Sequence, residues 1–125
     1  MTTPSPARKS YLSTLQFARL SHACWIVKHA FGDPPYLVGS STERADFRDV
    51  DIRTILADDH YDELFKDREF FWSIVCLGIS SYLSDVSGLP VDYQIQRMTE
   101  ANEKHDKPRC AMGLGAVLFA GGGDG

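Results

Sequence analysis

Twice in this chain acidic and large apolar residues alternate with a period of two, and that pattern fixes a sheet with one covered face and one polar face. Asp49-Val50-Asp51-Ile52 opens a run ending at Leu56, and Val91-Asp92-Tyr93-Gln94-Ile95-Gln96 repeats the pattern after Pro90. Strand side chains alternate between faces, so Val50 and Ile52, like Val91, Tyr93 and Ile95, belong to a core while Asp49, Asp51 and Asp92 project the other way. A third apolar run, Tyr36-Leu37-Val38, leads into Gly39-Ser40, and eight residues separate Ser40 from Asp49. Glycine lets a backbone turn sharply and approach a ligand, and the amides after it can donate to phosphate oxygens. Two carboxylates held side by side can bridge two divalent ions, which lie about 3.5 to 4 Å apart in phosphoryl-transfer sites. Phosphate cradle and metal-binding carboxylates are thus the chemistry this spacing points to.

A chain of 125 residues is long enough for one core and short for a catalytic domain plus a separate substrate domain. The expectation is one folded domain over residues 10–120, with loose ends at 1–9 (Pro, Thr, Ser and charge) and 121–125 (Gly-rich). A net charge of -4 argues against tight binding to a long nucleic acid by counterion release. No apolar stretch reaches the ~20 residues of a membrane span and Met-Thr-Thr-Pro-Ser-Pro lacks the pattern of a signal peptide, so a cytoplasmic protein without membrane contact is expected. Cys24, Cys76 and Cys110 form no CxxC or Cys/His pattern, and His22, His29, His60 and His105 form no HExxH or close pair. Surface or capping roles are expected for the histidines.

Phe17, Leu20, Cys24, Val27 and Phe31 recur at three and four, predicting a helix from about Ser10 to Ala30 that Gly32 stops. Strands follow over 36–38 and 49–56. Asp59 is a candidate cap for a short helix to Phe65, and Asp67 for a longer one from Arg68 to Ser87, closed by Gly88. That second helix is apolar around much of its circumference, so it should be central or bury a face against another chain. Pro90 opens the third strand, 91–97. Residues 98–107 read as a polar loop or short helix, and 110–120 as small and apolar. The fold class is α/β (α+β), a small mixed sheet flanked by helices.

The conjunction of Val38-Gly39-Ser40, Asp49-Val50-Asp51-Ile52 and Asp92 resembles the DNA polymerase beta-like nucleotidyltransferase superfamily over about residues 15 to 97, closest to its minimal single-domain phage and bacterial members. The resemblance implies that Gly39 and Ser40 hold a nucleoside triphosphate's phosphates while Asp49, Asp51 and Asp92 surround two magnesium ions, or manganese in their place. It implies transfer of a nucleoside monophosphate to a hydroxyl of an acceptor, which could be a protein, with Asp92 binding the metal that activates the hydroxyl. No basic residue follows Gly39-Ser40, where Ser41-Thr42-Glu43 stand. Arg44 or Arg48 could reach a phosphate instead, or pair with Glu43 or Asp46 on the surface. Lys104, Lys107 and Arg109 could contact a triphosphate or form a solvated loop, and Gln94 and Gln96 share the face of Asp92. The competing expectation is an inactive fold of this type used as a binding module, for instance by a phage to engage a host protein. Its surface would be the apolar helix 68–87, through self-association or a partner.

Overall fold

The computed structural model describes residues 10–103 and 109–113. Its elements follow the order α1 (Thr14–Phe31), β1 (Tyr36–Val38), β2 (Val50–Leu56), α2 (Asp58–Phe65), α3 (Glu69–Ser87), β3 (Val91–Arg97), α4 (Met98–Glu103) and β4 (Cys110–Ala111). The expected α+β class, a mixed sheet flanked by helices, is what the chain forms. The sheet order is β3-β2-β1-β4; β2 and β3 run parallel, while β1 is antiparallel to both β2 and β4. Residues 104–108, which include Lys104, Lys107 and His105, and residues 114–120 lie outside the described part, as do both expected loose ends.

Local chemistry explains most boundaries. Ser13 caps α1 in a reciprocal capping box, its hydroxyl accepting from the Gln16 amide at 3.1 Å while Gln16 Oε1 accepts from the Ser13 amide at 2.8 Å. Gly32 ends α1 in the left-handed region at φ 85°, and Gly88 ends α3 at φ 75°. Two expected caps do not form. Helix α2 begins at Asp58, one residue before Asp59, and no side chain caps it because Asp58 is turned to Thr99 and Arg97 instead. Asp67 takes a left-handed conformation at φ 58°, which bends the link so that Arg68 occupies the position before α3, again without a side-chain cap.

The strand alternation holds residue by residue. Leu37, Val50, Ile52, Thr54, Leu56, Val91, Tyr93 and Ile95 are buried and join Leu20, Cys24 and Val27 of α1 and Cys76 and Leu83 of α3 in one core. Truncating a buried leucine such as Leu20 to alanine in a core of this kind costs about 2 to 5 kcal/mol. The Tyr93 hydroxyl, which would be stranded there, donates to Thr54 Oγ1 at 2.6 Å across the parallel pair. Burial of Cys24 pushes its thiol up to about 12, so it stays protonated and inert.

Helix α3 lies against β3, the strand at the edge of the sheet, and inverts the arrangement expected of an apolar helix. Trp72, Ser80 and Ser84, set at multiples of four along one helical face, satisfy the outward backbone of β3. Ser84 Oγ accepts from the Val91 amide at 3.0 Å, Ser80 Oγ accepts from the Tyr93 amide at 2.9 Å, and Trp72 Nε1 donates to the Ile95 carbonyl at 2.9 Å. An open edge strand is thereby closed without another strand. The opposite stripe is left in solvent: Phe70 is 89%, Ile74 67% and Leu77 70% exposed. The expectation of a central α3 is therefore corrected, because its polar side is what the sheet edge requires. By length and composition alone α3 is also a helix that could cross a membrane, although in this fold one side of it is committed to β3.

Candidate functional site

The uncovered face of the sheet carries Tyr36, Val38, Asp51, Arg53, Asp92, Gln94 and Gln96. Register brings Val38 opposite Asp51 and Asp51 opposite Asp92, so one row across β1, β2 and β3 ends in two adjacent carboxylates. Neighbouring strands lie about 4.8 Å apart. Asp49 stands just before β2 rather than within it, exposed, two residues from Asp51 and so on the same side.

Gly39 meets this row directly. Its backbone sits at φ 81°, ψ -158°, a region essentially reserved for glycine, and a Cβ there would lie 2.1 Å from Asp51 Oδ2. Position 39 thus leaves no room for any side chain between the turn and the carboxylate. After it, residues Ser40–Thr42 form one helical turn, closed by the Thr42 amide and hydroxyl donating to the Gly39 carbonyl at 3.0 and 2.6 Å. The first amides of such a turn, here those of Ser40 and Ser41, have no partner within it. Among the described residues, Ser41 Oγ is the buried side-chain polar atom without a hydrogen-bond partner.

Burial raises the Asp51 carboxyl above its ordinary value; Arg53 pulls it back, and Asp92 and Asp49 push it further up. The three carboxylates are therefore within electrostatic reach of one another. They are not a finished metal cage, since among the described residues no three His, Cys, Asp or Glu side chains gather closely enough to hold an ion. The reason is Arg53, whose Nη2 lies 3.2 Å from Asp92 Oδ2 and 3.8 Å from Asp51 Oδ1. Its Nη1 donates to the backbone carbonyls of Asp92 at 2.8 Å and Ile52 at 3.0 Å. Asp49 has no hydrogen-bond or ion-pair partner among the described residues. The residues fit a cation between Asp49 and Asp51 beside the Gly39 turn, where the turn admits no Cβ; Asp92 is already engaged.

Arg53 is the site residue that the sequence reading missed. The signal was present: Asp49, Asp51 and Arg53 occupy successive same-face positions, so a guanidinium beside Asp51 followed from the period of two. The arginines proposed instead stand apart. Arg44 pairs with Asp46 at 3.5 Å in full view of solvent, and Arg48 is exposed. Gln94 is the register partner of Arg53, and with Asp92, Trp72, Cys76, Leu77 and Ser80 it lines a groove of about 200 Å³ beside β3. Gln96 lies opposite Ile55, farther along. At that end a second cleft of about 210 Å³ lies between Asp33, Tyr36, Ile55, Met98, Asn102 and Arg109; Arg109 Nη2 is held by the Ala101 carbonyl and Asn102 Oδ1, both at 3.1 Å.

A separate cluster is architectural. Arg97 grips Asp62 through Nε at 3.0 Å and Nη2 at 2.8 Å and reaches Asp58 at 3.2 Å, while Thr99 donates to Asp58 through its amide and hydroxyl. This fastens α2 to the end of β3 and the start of α4. No protein family, characterised protein or solved structure matches the chain.

Proposed function

We propose that the chain is a divalent-metal-dependent nucleotidyltransferase of the cytoplasm, moving a nucleoside monophosphate from a nucleoside triphosphate to a hydroxyl of an acceptor. One observation carries this reading: Gly39 presses against Asp51 with no space for a side chain, and Asp51 stands opposite Asp92 on the open face. The magnesium ion, when bound, neutralises triphosphate charge and lowers the pKa of the attacking hydroxyl. Asp49 and Asp51 hold it, while the Gly39-Ser40 turn receives phosphate oxygens on its free amides. The acceptor oxygen forms a bond to the α-phosphorus, the α–β phosphoanhydride bond breaks, and pyrophosphate leaves with the bonding electrons. The hydroxyl proton passes to a site carboxylate or to water. Incubating the chain with labelled triphosphates, magnesium and candidate protein or small-molecule hydroxyl acceptors tests the proposal. Label transfer lost in an Asp49→Asn, Asp51→Asn double variant is expected; no transfer from any nucleotide, or equal transfer by the variant, refutes it.

A second reading, a binding module without turnover, is favoured by the exposed stripe Phe70, Ile74 and Leu77. Calorimetric titration with magnesium and a nonhydrolysable triphosphate separates the two. Binding abolished by Asp51→Asn favours the enzyme, and no binding favours the module.

A further inference from the structure

We infer that Arg53 permanently occupies the place of a second divalent ion, so that this site takes a single divalent cation, between Asp49 and Asp51, while Asp92 serves the guanidinium. The inference rests on the nucleotidyltransferase reading and names the cation content of that same site.

A bridging ion would have to lie between the carboxylates of Asp51 and Asp92, the space that Arg53 Nη2 enters at 3.8 and 3.2 Å. Attraction to those carboxylates alone would not fix the guanidinium, because a metal could compete for both. Its Nη1 is also tied to two backbone carbonyls, of Ile52 and Asp92, which belong to adjacent strands and do not move when an ion binds. The side chain is only 14% exposed. Displacing it would take a charge out of four polar contacts, and a metal arriving without displacing it would face a like charge about 3 to 4 Å away. Arginine cannot escape by losing its proton. Charge agrees with geometry: three carboxylates less one guanidinium leave two negative charges, which one divalent cation matches. Asp49, unpartnered and exposed, is the carboxylate left for that ion.

Counting bound Mn²⁺ by equilibrium dialysis with electron paramagnetic resonance, in the presence of a nonhydrolysable triphosphate, tests the inference. The native chain should hold one protein-bound Mn²⁺ and Arg53→Gln two. Two ions on the native chain, or one on both proteins, overturns the role given to Arg53 and leaves the nucleotidyltransferase reading standing. No Mn²⁺ on either protein overturns that reading as well. If Arg53→Gln fails to fold, two other variants decide. Asp92→Asn should change the Mn²⁺ dissociation constant less than about threefold, whereas Asp49→Asn should raise it about tenfold or more, the scale of losing a metal-site partner. A tenfold loss in Asp92→Asn makes Asp92 a ligand and refutes the inference.

Discussion

Replacing Gly39 by alanine perturbs two things at once, and they can be separated. The first is the backbone, held at φ 81°, ψ -158°, where a residue other than glycine is strained by about 1 to 3 kcal/mol. The second is contact: the new methyl would lie 2.1 Å from Asp51 Oδ2, 3.0 Å from its Cγ and 3.2 Å from its Cβ. The carboxylate oxygen can swing away, but Cβ is fixed to β2, and the swing takes Asp51 from its place beside Arg53. Forcing such a shift adds about 1 kcal/mol, at the low end of overpacking costs. Gly39→Ala is therefore expected to lose about 2 to 3 kcal/mol of stability. At roughly 4 °C per kcal/mol for a domain of this size, the melting temperature should fall by about 8 to 12 °C. The assay is urea and thermal unfolding followed by circular dichroism, on Gly39→Ala, Asp51→Ala and the double variant. With Asp51 truncated, Oδ2 and Cγ are gone and only the backbone cost should remain, giving a coupling of about 1 kcal/mol between the two positions. A Gly39→Ala cost below about 0.5 kcal/mol, or the same cost in both backgrounds, would refute the argument that Gly39 is required by its closeness to Asp51.

Removing the hydroxyls of Ser80 and Ser84 by alanine should orphan the amides and carbonyls of Val91 and Tyr93, at about 1 to 3 kcal/mol for each serine, and the double variant should self-associate through the opened edge in light scattering. Ser41→Ala removes a buried hydroxyl with no partner, so chemical denaturation should show unchanged or higher stability, while weaker triphosphate binding by the same variant would assign the hydroxyl to phosphate. The carboxyls of Asp58 and Asp62 are held below their usual value, chiefly by hydrogen bonds from Thr99 and Arg97 respectively. Stability from a depressed carboxyl is present above its unfolded value and lost as pH falls through its folded one, so Asp62→Asn should be the less stable protein at neutral pH, with the gap closing below about pH 4. Asp51 has the opposite sign: its raised carboxyl favours the fold at low pH and that stability is lost as pH rises through the folded value, so Asp51→Asn should gain on the native chain toward neutral pH in unfolding experiments.

The parts of this molecule that were legible in its sequence are those governed by one periodicity at a time. The alternation in 49–56 and 91–97 placed Asp51 and Asp92 on a common face and their apolar neighbours in the core, and Gly32 and Gly88 ended helices because only a left-handed residue could. What was not legible depended on partners distant in the chain. Asp58 is drawn to Thr99, 41 residues away, so the helix boundary moved off Asp59. Arg53 reaches Asp92, 39 positions on, and converts what composition reads as an acidic metal cluster into a mixed one. Helix α3 shows the same limit most clearly. Counting its apolar residues predicts that they are buried, yet an edge strand needs donors and acceptors more than it needs hydrophobic cover, and the helix meets that need with Trp72, Ser80 and Ser84. Those residues and Phe70, Ile74 and Leu77 cannot face β3 together, because positions 72, 76, 80 and 84 lie on roughly the opposite side of a helix from 70, 74, 77 and 81. The apolar exposure on α3 is thus a consequence of closing the sheet, and a charged substitution such as Leu77→Lys should leave stability within about 0.5 kcal/mol while Ser80→Ala does not.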